Sequence, residues 1–346
     1  GQLVMGTNGV TLGAFQLSET SNVDDVKITD LNVFDVVTAT SSVNPSFGNL
    51  KLYKSTDLVN AIGTAGSSNT SVATSTPGFG YYYKFSGVNL TVPQNGSISL
   101  VLKGDVATYN SNAATDNSAH TFRIATSTDT DNDTMGTETV NAKGSTSNAS
   151  SSVVLASGGA AANTLTVLRT KLTASAAALG AASSRSKLVS DDFATITFAA
   201  DAADNAYLNT LTVTFSGTAP SISTFLAGVT LLDANAVNVT STSGVTATTS
   251  AACTGVNTCT KTWSFGTTTA GWQVSGASSY AFKLRVDSTK TLAGASGVVQ
   301  GLGASINANT DVNFTGGLSG SPTSGIALPV NVAPINLNSV SYVSGS

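Results

Sequence analysis

The stretch DDVKITDLNV at Asp24–Val33 decides the fold, because it recurs later in the chain as DNAYLNTLTV at Asp204–Val213. In both copies apolar residues alternate with polar ones, which is the period of a β-strand with one buried face. A second pair follows in the same order, since GNLKLYK at Gly48–Lys54 corresponds to AGVTLLD at Ala227–Asp233. Collinear matches of this kind predict two tandem copies of one strand-rich fold.

Two more matches extend the repeat. YKFSG around Phe85 corresponds to WSFGT around Phe265, and SISLVLKGD at Ser97–Asp105 corresponds to SYAFKLRVD at Ser279–Asp287. The second match places Ile98, Leu100 and Leu102 over Tyr280, Phe282 and Leu284. All of these positions are apolar in both copies, so they are predicted core positions.

Helical periodicity is almost absent from the chain. The best stretch, Thr173–Ser184, is rich in alanine, but it is short and Gly180 interrupts it. We therefore predict an all-β protein of two tandem Ig-like antiparallel β-sandwich domains with a C-terminal donor-strand tail. The predicted boundaries are 1–160 for domain 1, 161–332 for domain 2 and 333–346 for the tail.

The composition excludes several classes of partner. Charged residues make up 10% of the 346 residues and the net charge is -4, whereas an average soluble domain has about 25% charged residues. The 15 lysines and arginines do not cluster, so nucleic acid is not an expected partner. No run of 18 apolar residues exists, so no membrane span is expected. The low charge and an N-terminal Gly1 favour a mature, exported protein outside the cell or at its surface.

The inventory of catalytic residues is small. The single histidine, His120, lies in NSAHTFRI at the start of a predicted strand, with no acid at a suggestive spacing nearby. A Ser-His-Asp arrangement would need both partners from distant parts of the chain. We interpret His120 as a structural surface or edge residue, and we expect no enzyme activity and no catalytic residue.

One loop has the character of a metal site. Asp129, Asp131 and Asp133 alternate in TDTDNDTMG, a spacing with which oxygen ligands surround calcium. The pattern departs from an EF-hand-like loop, because Thr134 stands at the glycine position and Val140 at the position of the bidentate glutamate. A calcium site and a solvated acidic loop are therefore the two alternatives, and calcium is the one cofactor considered.

The two cysteines, Cys253 and Cys259, lie close together in ACTGVNTCT. A hairpin loop can close this spacing, and the additional ligands that a zinc site needs are missing from it. We predict a local disulfide between them that staples a loop of domain 2, with two free buried thiols as the alternative.

Two features keep a binding function open. Tyr81–Tyr83, together with Trp263 and Trp272, could form a carbohydrate platform, although core packing explains these aromatics better. N-x-S/T triplets occur seven times, which is about the number expected by chance in a chain so rich in Asn, Ser and Thr. Glycan modification of the chain is therefore neither favoured nor excluded.

Long framework segments carry a resemblance to a known group of proteins. The runs at Thr166–Gly217, TVLRTKLTASAAALGAASSRSKLVSDDFATITFAADAADNAYLNTLTVTFSG, and at Gly325–Val343, GIALPVNVAPINLNSVSYV, resemble the tandem Ig-like modules of large cell-surface proteins from Candidate Phyla Radiation (Patescibacteria) bacteria. Leu3–Val33 is similar to other modules of those proteins. The resemblance covers framework residues of both domains, so it implies an exported surface or appendage component and no chemistry.

The two copies differ at their starts. Domain 2 is preceded by the strand-like run Leu165–Ser175, whereas domain 1 begins almost at once, with Val10–Phe15 matching Phe193–Phe198. Domain 1 therefore lacks a counterpart of the leading strand, which leaves an unpaired sheet edge. The chain also continues beyond domain 2 with a strand-like run, INLNSVSYV at Ile335–Val343.

We predict that each subunit donates this run to domain 1 of the next subunit, where Ile335, Leu337, Val340 and Tyr342 fill the groove. Such a head-to-tail contact propagates, so the chain would be a structural subunit of an extracellular filament or surface layer, with other copies of itself as partners. In the rival interpretation Leu165–Ser175 ends domain 1 and the tail ends domain 2, which gives a self-sufficient monomer. The alternative function is a surface adhesin that recognises a glycan or a protein.

Overall fold

A computed structural model describes residues 1–38, 45–65, 69–73, 79–109, 114–125, 140–150, 163–180, 184–217, 226–250, 258–266, 271–289, 300–317 and 334–343. Two compact units divide the chain, Gly1–Arg169 and Thr170–Ser346. The protein is all-β with several mostly antiparallel sheets, as predicted. No helix in the described part of the chain is long and apolar enough to cross a membrane.

The first unit is a sandwich of two sheets. Its strands are β1 (Gln2–Val4), β2 (Val10–Ser18), β3 (Val26–Thr38), β4 (Phe47–Lys54), β5 (Gly63–Thr64), β6 (Asn69–Ala73), β7 (Phe79–Val92), β8 (Ser97–Val106), β9 (Ser118–Ile124), β10 (Val140–Gly144) and β11 (Leu165–Leu168). One sheet has the order β1-β11-β9-β3-β7-β6, with β10 also paired to β3, and the other has the order β2-β8-β4-β5. A single core of side chains from both sheets, including Phe15, Leu100, Val33 and Phe122, lies between them.

The second unit repeats this arrangement. Its strands are β12 (Leu172–Ala178), β13 (Ser184–Ser186), β14 (Asp191–Ala200), β15 (Ala206–Gly217), β16 (Val229–Leu232), β17 (Thr246–Thr249), β18 (Thr258–Ser264), β19 (Trp272–Val274), β20 (Ser279–Val286), β21 (Gln300–Ile306), β22 (Val312–Gly316) and β23 (Ile335–Val343). One sheet has the order β13-β23-β21-β15-β18-β17, with β19 and β22 also paired to β15, and the other has the order β12-β14-β20-β16. Short 3-10 turns lie at Val239–Ser241 and Asn309–Asp311.

Strand register shows that the two units are copies of one pattern. Leu102 lies opposite Gly13, and Leu284 lies opposite Ala194. Gly13 on β2 directly follows a register shift in that strand, and so does Ala194 on β14. The sequence match of Leu102 to Leu284 is therefore confirmed, together with a β-bulge at the same place in each copy.

One matched position is shifted by two residues. Leu31 lies opposite Phe85, and Leu211 lies opposite Trp263. Since Leu31 and Leu211 are equivalent in the repeat, the counterpart of Phe85 is Trp263 and not Phe265. Phe85 and Trp263 are both completely buried, so a tryptophan replaces a phenylalanine in the same core position.

The boundary between the units differs from the predicted 160/161. The run Leu165–Ser175 is split, because β11 pairs with β9 and β1 of the first unit. The alanine-rich β12 pairs antiparallel with β14 of the second unit. Three residues, Arg169–Lys171, connect β11 to β12.

The C-terminal strand belongs to its own second unit. β23 pairs antiparallel with β21 and parallel with β13. Leu337, Val340 and Tyr342 are at most 2% exposed, and Ile335 is partly buried. The predicted donation of these four side chains to domain 1 of a neighbouring subunit is therefore wrong for this structure. They complete the core of the sandwich that precedes them in the chain, as the rival interpretation proposed.

Polar contacts also hold β23 in this place. The Tyr342 hydroxyl donates a hydrogen bond to the carboxylate of Asp191, which forms a salt bridge of 2.7 Å with Arg185. Burial raises the pKa of Tyr342, and the hydrogen bond to Asp191 raises it further. The Asn338 amide donates to the backbone carbonyl of Phe193 at 2.6 Å. These contacts join β23 to β13 and to β14 of the facing sheet.

Candidate functional site: an open sheet edge in the first unit

One strand of the repeat is present in the second unit and has no counterpart among the described residues of the first. In the second unit β12 pairs with β14, so β14 has a neighbour on both sides. Its counterpart β2 pairs with β8 on one side. On its other side, the described part of the chain provides no strand. We call that side, turned away from β8, the β2 edge.

The prediction that domain 1 lacks a leading strand stays a prediction, and the element concerned differs from the expected run Leu165–Ser175, which is split between the two units. The first unit has its own terminal strand, β11, and its own short first strand, β1, which run parallel to each other. The second unit has the same pair in β23 and β13. Only the counterpart of β12 is absent from the described residues of the first unit.

Burial along β2 agrees with a missing neighbour. Leu17 lies opposite Ile98, and Phe198 lies opposite Tyr280. Leu17 is therefore the counterpart of Phe198, and the predicted match of Phe15 to Phe198 was displaced by two residues. Phe198 is completely buried, whereas Leu17 keeps part of its surface exposed.

Backbone hydrogen bonds show which groups face the β2 edge. The amide of Glu19 donates to Gly96 at 2.9 Å, and the amide of Ser55 donates to the carbonyl of Ser99 at 2.8 Å. Ser99 therefore faces β4, and Gln16, which lies opposite Ser99, faces away from β8. By the alternation of an antiparallel strand, Ala14, Gln16 and Ser18 direct their backbone N–H and C=O groups to the β2 edge.

The β2 edge carries few of the features by which natural sheets avoid edge pairing. The sequence of β2, VTLGAFQLS, contains no charged residue and no proline. Its one irregularity is the bulge at Leu12, near the start of the strand. Lysine, proline and inward-pointing charges are the usual means of blocking an edge. This strand is therefore chemically suited to accept another strand.

The outer face of the same sheet has a basic pair of side chains. Lys51 and Lys103 lie directly opposite each other on β4 and β8, an arrangement that is unfavourable for like charges. Lys103 also lies over the ring of Tyr53, 5.2 Å from its centroid. Among the described residues, neither lysine forms a salt bridge.

The second unit neutralises Arg285, the counterpart of Lys103, and it has Thr230 in place of Lys51. Asp192 lies opposite Arg285, and its carboxylate bonds Arg285 at 2.7 Å and Lys283 at 2.9 Å. Partial burial raises the pKa of Asp192, but the hydrogen bonds from Arg285 and Lys283 outweigh this effect and lower it. The counterpart of Asp192 in the first unit is Thr11, which lies opposite Lys103. A threonine cannot compensate the charge there.

His120 is buried, so its predicted surface or edge location is wrong. Its Nδ1 lies 2.9 Å from a carboxylate oxygen of Asp35, and its Nε2 lies 2.7 Å from the hydroxyl of Ser118. The fold supplies Asp35 from β3, a neighbouring strand that lies far from His120 in sequence. Burial raises the pKa of Asp35, and the adjacent His120 opposes that shift.

In this Ser-His-Asp set the histidine contacts the serine and the aspartate, as in a catalytic triad, but the set is not exposed to solvent. Asp35 and His120 are completely buried, and Ser118 is 4% exposed. The Ser118 hydroxyl also lies 2.7 Å from the carbonyl of Thr115, to which it donates. A nucleophile must reach its substrate, and this one is enclosed in the core. The set is a buried polar network.

The other predicted sites fall mainly outside the described residues. Asp129, Asp131 and Asp133 lie outside them, so the calcium site stays a prediction, and no cluster of metal-ligating side chains occurs in the described part. Cys253 lies outside as well. Cys259 is 3% exposed on β18, and the disulfide stays a prediction that peptide mapping without reduction can test.

The predicted aromatic platform is mostly buried, and only Trp272 among its residues is partly exposed. Tyr81, Tyr82 and Tyr83 are at most 7% exposed, and Trp263 is completely buried. Trp272 packs edge-on against Phe282, with ring centroids 5.3 Å apart. Tyr81 and Tyr83 belong to the core of the first unit, whereas Tyr82 packs with Phe34 and Ala125 in a separate cluster. Packing is the alternative that the sequence favoured.

Comparisons with known proteins add no family. No protein-family model matches the chain, and no curated protein matches it. Among solved structures, the C-terminal domain of the Streptococcus agalactiae AgI/II polypeptide BspA aligns over 98% of this chain and 96% of its own, with 9% identity and a TM-score of 0.20. The CupB6 tip adhesin from Pseudomonas aeruginosa aligns over 100% and 94%, with 7% identity and a TM-score of 0.19. These scores are too low to support any conclusion about this chain.

Proposed function

We propose that this chain is a structural subunit of an extracellular surface assembly, a filament or a surface layer, whose copies are held together by strand pairing at the β2 edge. The observation that carries the proposal is the uncharged β2 edge, which has no strand partner among the described residues at the place where the second unit has β12. Donation of Ile335–Val343 has no part in it, because that strand completes its own unit.

Physical chemistry favours this role over a dissolved monomer. An unpaired edge presents a row of backbone donors and acceptors that another strand can satisfy, and its pairing does not depend on a specific side-chain pocket. The chain has only 10% charged residues, so electrostatic repulsion between copies is weak. Two sandwiches joined by a three-residue connection supply the folded mass of a repeating subunit.

A backbone-directed variant tests the proposal. The N–H of Gln16 faces the β2 edge, so Gln16→Pro removes an edge donor without removing a backbone bond to β8. The side-chain bond from Gln16 Nε2 to the Ser97 hydroxyl, 3.2 Å, is lost in Gln16→Pro and in Gln16→Ala alike. Gln16→Ala is the matched control, because it changes the side chain and keeps the N–H. Negative-stain microscopy and light scattering of the full chain are the measurements.

We expect ordered filaments or lattices from the unaltered chain and from Gln16→Ala, and dispersed particles with unchanged unfolding from Gln16→Pro. Dispersed monomers of the unaltered chain at all concentrations, or assembly of Gln16→Pro equal to that of the control, would overturn the proposal.

A further inference from the structure

We infer that the second unit binds a neutral glycan chain in a groove on the outer face of its sheet β13-β23-β21-β15-β18-β17. Ser216, Ser305, Asn336 and Ser339 surround Gly303 there, and we call this place the Gly303 groove. The inference goes beyond the proposed function and does not depend on it, because the groove lies on a sheet face and uses no residue of the β2 edge.

The groove is formed by three neighbouring strands. Its volume is about 590 Å³, and residues of β15, β21 and β23 line most of it. Known ligand sites have volumes of about 300–1,000 Å³. Phe215 and Ala304 are at most 5% exposed and point to the core. By the alternation of a strand, Ser216, Gly303 and Ser305 therefore lie on the outer face.

The absence of a side chain at Gly303 creates the depth of the groove. Gly303 lies opposite Ser216 on β15 and opposite Ser339 on β23. A Cβ atom at position 303 would lie 2.8 Å from the Ser216 hydroxyl oxygen. Any larger residue at this position would therefore occupy the space that a ligand needs.

The wall that β23 contributes is held in position. A β-bulge lies beside it, at the register shift between Ala304 and Ser305. The Asn338 amide donates to the Phe193 carbonyl at 2.6 Å, and its side-chain oxygen accepts from the Ser339 amide at 2.8 Å. These bonds fix the backbone of β23 before a ligand arrives, so little ordering is needed on binding.

Three side chains of the groove are available to a ligand. Ser216, Asn336 and Ser339 are exposed, and among the described residues their side chains have no hydrogen-bond partner. A serine hydroxyl both donates and accepts, and an asparagine amide does the same with two different atoms. The groove therefore offers donors and acceptors without a charge.

The sheet face next to the groove is uncharged as well. Each outward position from 210 to 216 on β15 and from 258 to 264 on β18 is a threonine or a serine. Ser216 lies opposite Thr258, so the groove continues into this hydroxyl-bearing face. No charged or aromatic side chain lines the groove among the described residues. A charged ligand would lose its hydration here without gaining a counter-charge.

The first unit shows that the fold does not require such a surface. The residues that correspond by register to Ser216, Gly303 and Ser305 are apolar, larger and cationic, namely Val36, Thr121 and Arg123. The guanidinium of Arg123 lies over the ring of Phe34, 5.2 Å from its centroid. The small and neutral lining is therefore specific to the second unit.

The chemistry of the lining identifies the class of ligand. Sugar hydroxyl groups donate and accept hydrogen bonds without charge, as the lining does. A nucleic acid would need cations. A peptide strand would need a free sheet edge, whereas β21 is paired with β15 and β23 on its two sides. A glycan chain can lie in the groove and extend over the adjacent hydroxyl groups.

The test measures saturation-transfer difference NMR with the full chain. The neutral probes are cellohexaose, maltohexaose, mannohexaose and N-acetylchitohexaose, and the anionic probe is hexagalacturonic acid. Gly303→Thr and Ser305→Arg place counterparts of the first-unit side chains in the groove. The matched control is Ser175→Arg, because Ser175 is exposed on β12 in the other sheet of the same unit. Urea unfolding followed by tryptophan fluorescence checks that each variant is folded.

We expect at least one neutral hexasaccharide to bind the unaltered chain and Ser175→Arg equally. Its affinity for Gly303→Thr and for Ser305→Arg should be about ten-fold weaker, the loss expected from one or two hydrogen bonds. Hexagalacturonic acid should not bind the unaltered chain. Gln16→Pro should bind the neutral hexasaccharide as the unaltered chain does, whether or not it assembles, so this test is independent of the proposed function.

Three results would overturn the inference. The first is that none of the four neutral hexasaccharides binds. The second is that Ser305→Arg binds as well as the control, or that the control is weakened as much as Ser305→Arg. The third is that hexagalacturonic acid binds the unaltered chain as tightly as the neutral probes. If Gly303→Thr does not fold, Ser305→Arg and its control decide alone.

Discussion

The placement of Leu337 predicts that β23 stabilises the second unit and not a neighbouring subunit. Leu337 is 1% exposed, so Leu337→Ala should lower the free energy of unfolding of the second unit by about 2–5 kcal/mol, the cost of emptying a buried leucine site. With a urea dependence of about 2 kcal/mol per M, the unfolding midpoint should fall by about 1–2.5 M.

The chain contains a natural reporter for this measurement. Both of its tryptophans, Trp263 and Trp272, lie in the second unit, so tryptophan fluorescence follows the unfolding of that unit alone. Val343→Ala is the matched control on the same strand, because Val343 is 38% exposed and its truncation should cost no more than about 0.5 kcal/mol.

An unchanged tryptophan midpoint for Leu337→Ala, combined with a loss of assembly, would refute this reasoning. That result would mean that β23 fills the first unit of a neighbouring copy. A shift of equal size in Leu337→Ala and Val343→Ala would equally contradict it, because the two side chains differ so strongly in burial.

Three further predictions concern single side chains. His120→Leu should destabilise the first unit by about 3–5 kcal/mol, because it leaves the Asp35 carboxylate buried without its partner. The double variant with Asp35→Leu should recover most of this loss of stability. Circular dichroism melting measures both variants, and an unchanged stability of His120→Leu would contradict the argument. Gly80→Ala should cost the first unit about 1–3 kcal/mol, since its new methyl would lie 2.8 Å from the backbone oxygen of Asp35, while the tryptophan transition stays in place. Asp192→Asn should cost the second unit about 0.5–1 kcal/mol near neutral pH. Because the folded pKa of Asp192 is lowered, the stabilisation by its carboxylate is present above the unfolded pKa near 3.8 and is lost as the pH falls. The urea midpoints of the unaltered chain and of Asp192→Asn should therefore converge in acid.

The strands and their duplication could be predicted from the sequence because both are local patterns. The stretch at 97–104 alternates apolar and polar residues, and the alternation is found as burial on β8, where Leu100 and Leu102 are buried and Lys103 is not. The period of two is a property of the extended backbone itself. Two copies of one pattern are visible in one chain without knowledge of contacts.

The pairing partner of each strand is not a local property. The sequence describes β23 and β11 equally well as strands that end one domain or begin another, and only the contacts with β21 and β9 decide. Similarly, the alanine-rich run at 172–178 has no intrinsic preference for a strand. It is one because it pairs with β14 along its whole length.

Side-chain environments depend on the same long-range contacts. His120 was expected at the surface because its own segment contains no acid, yet pairing of β9 with β3 brings Asp35 to within 2.9 Å of it. The sequence by itself determined the all-β class and the repeat, since these follow from the period and order of residues. Tertiary structure alone decided which strands pair and that His120 is buried, because both depend on hydrogen bonds and packing between segments distant in the chain.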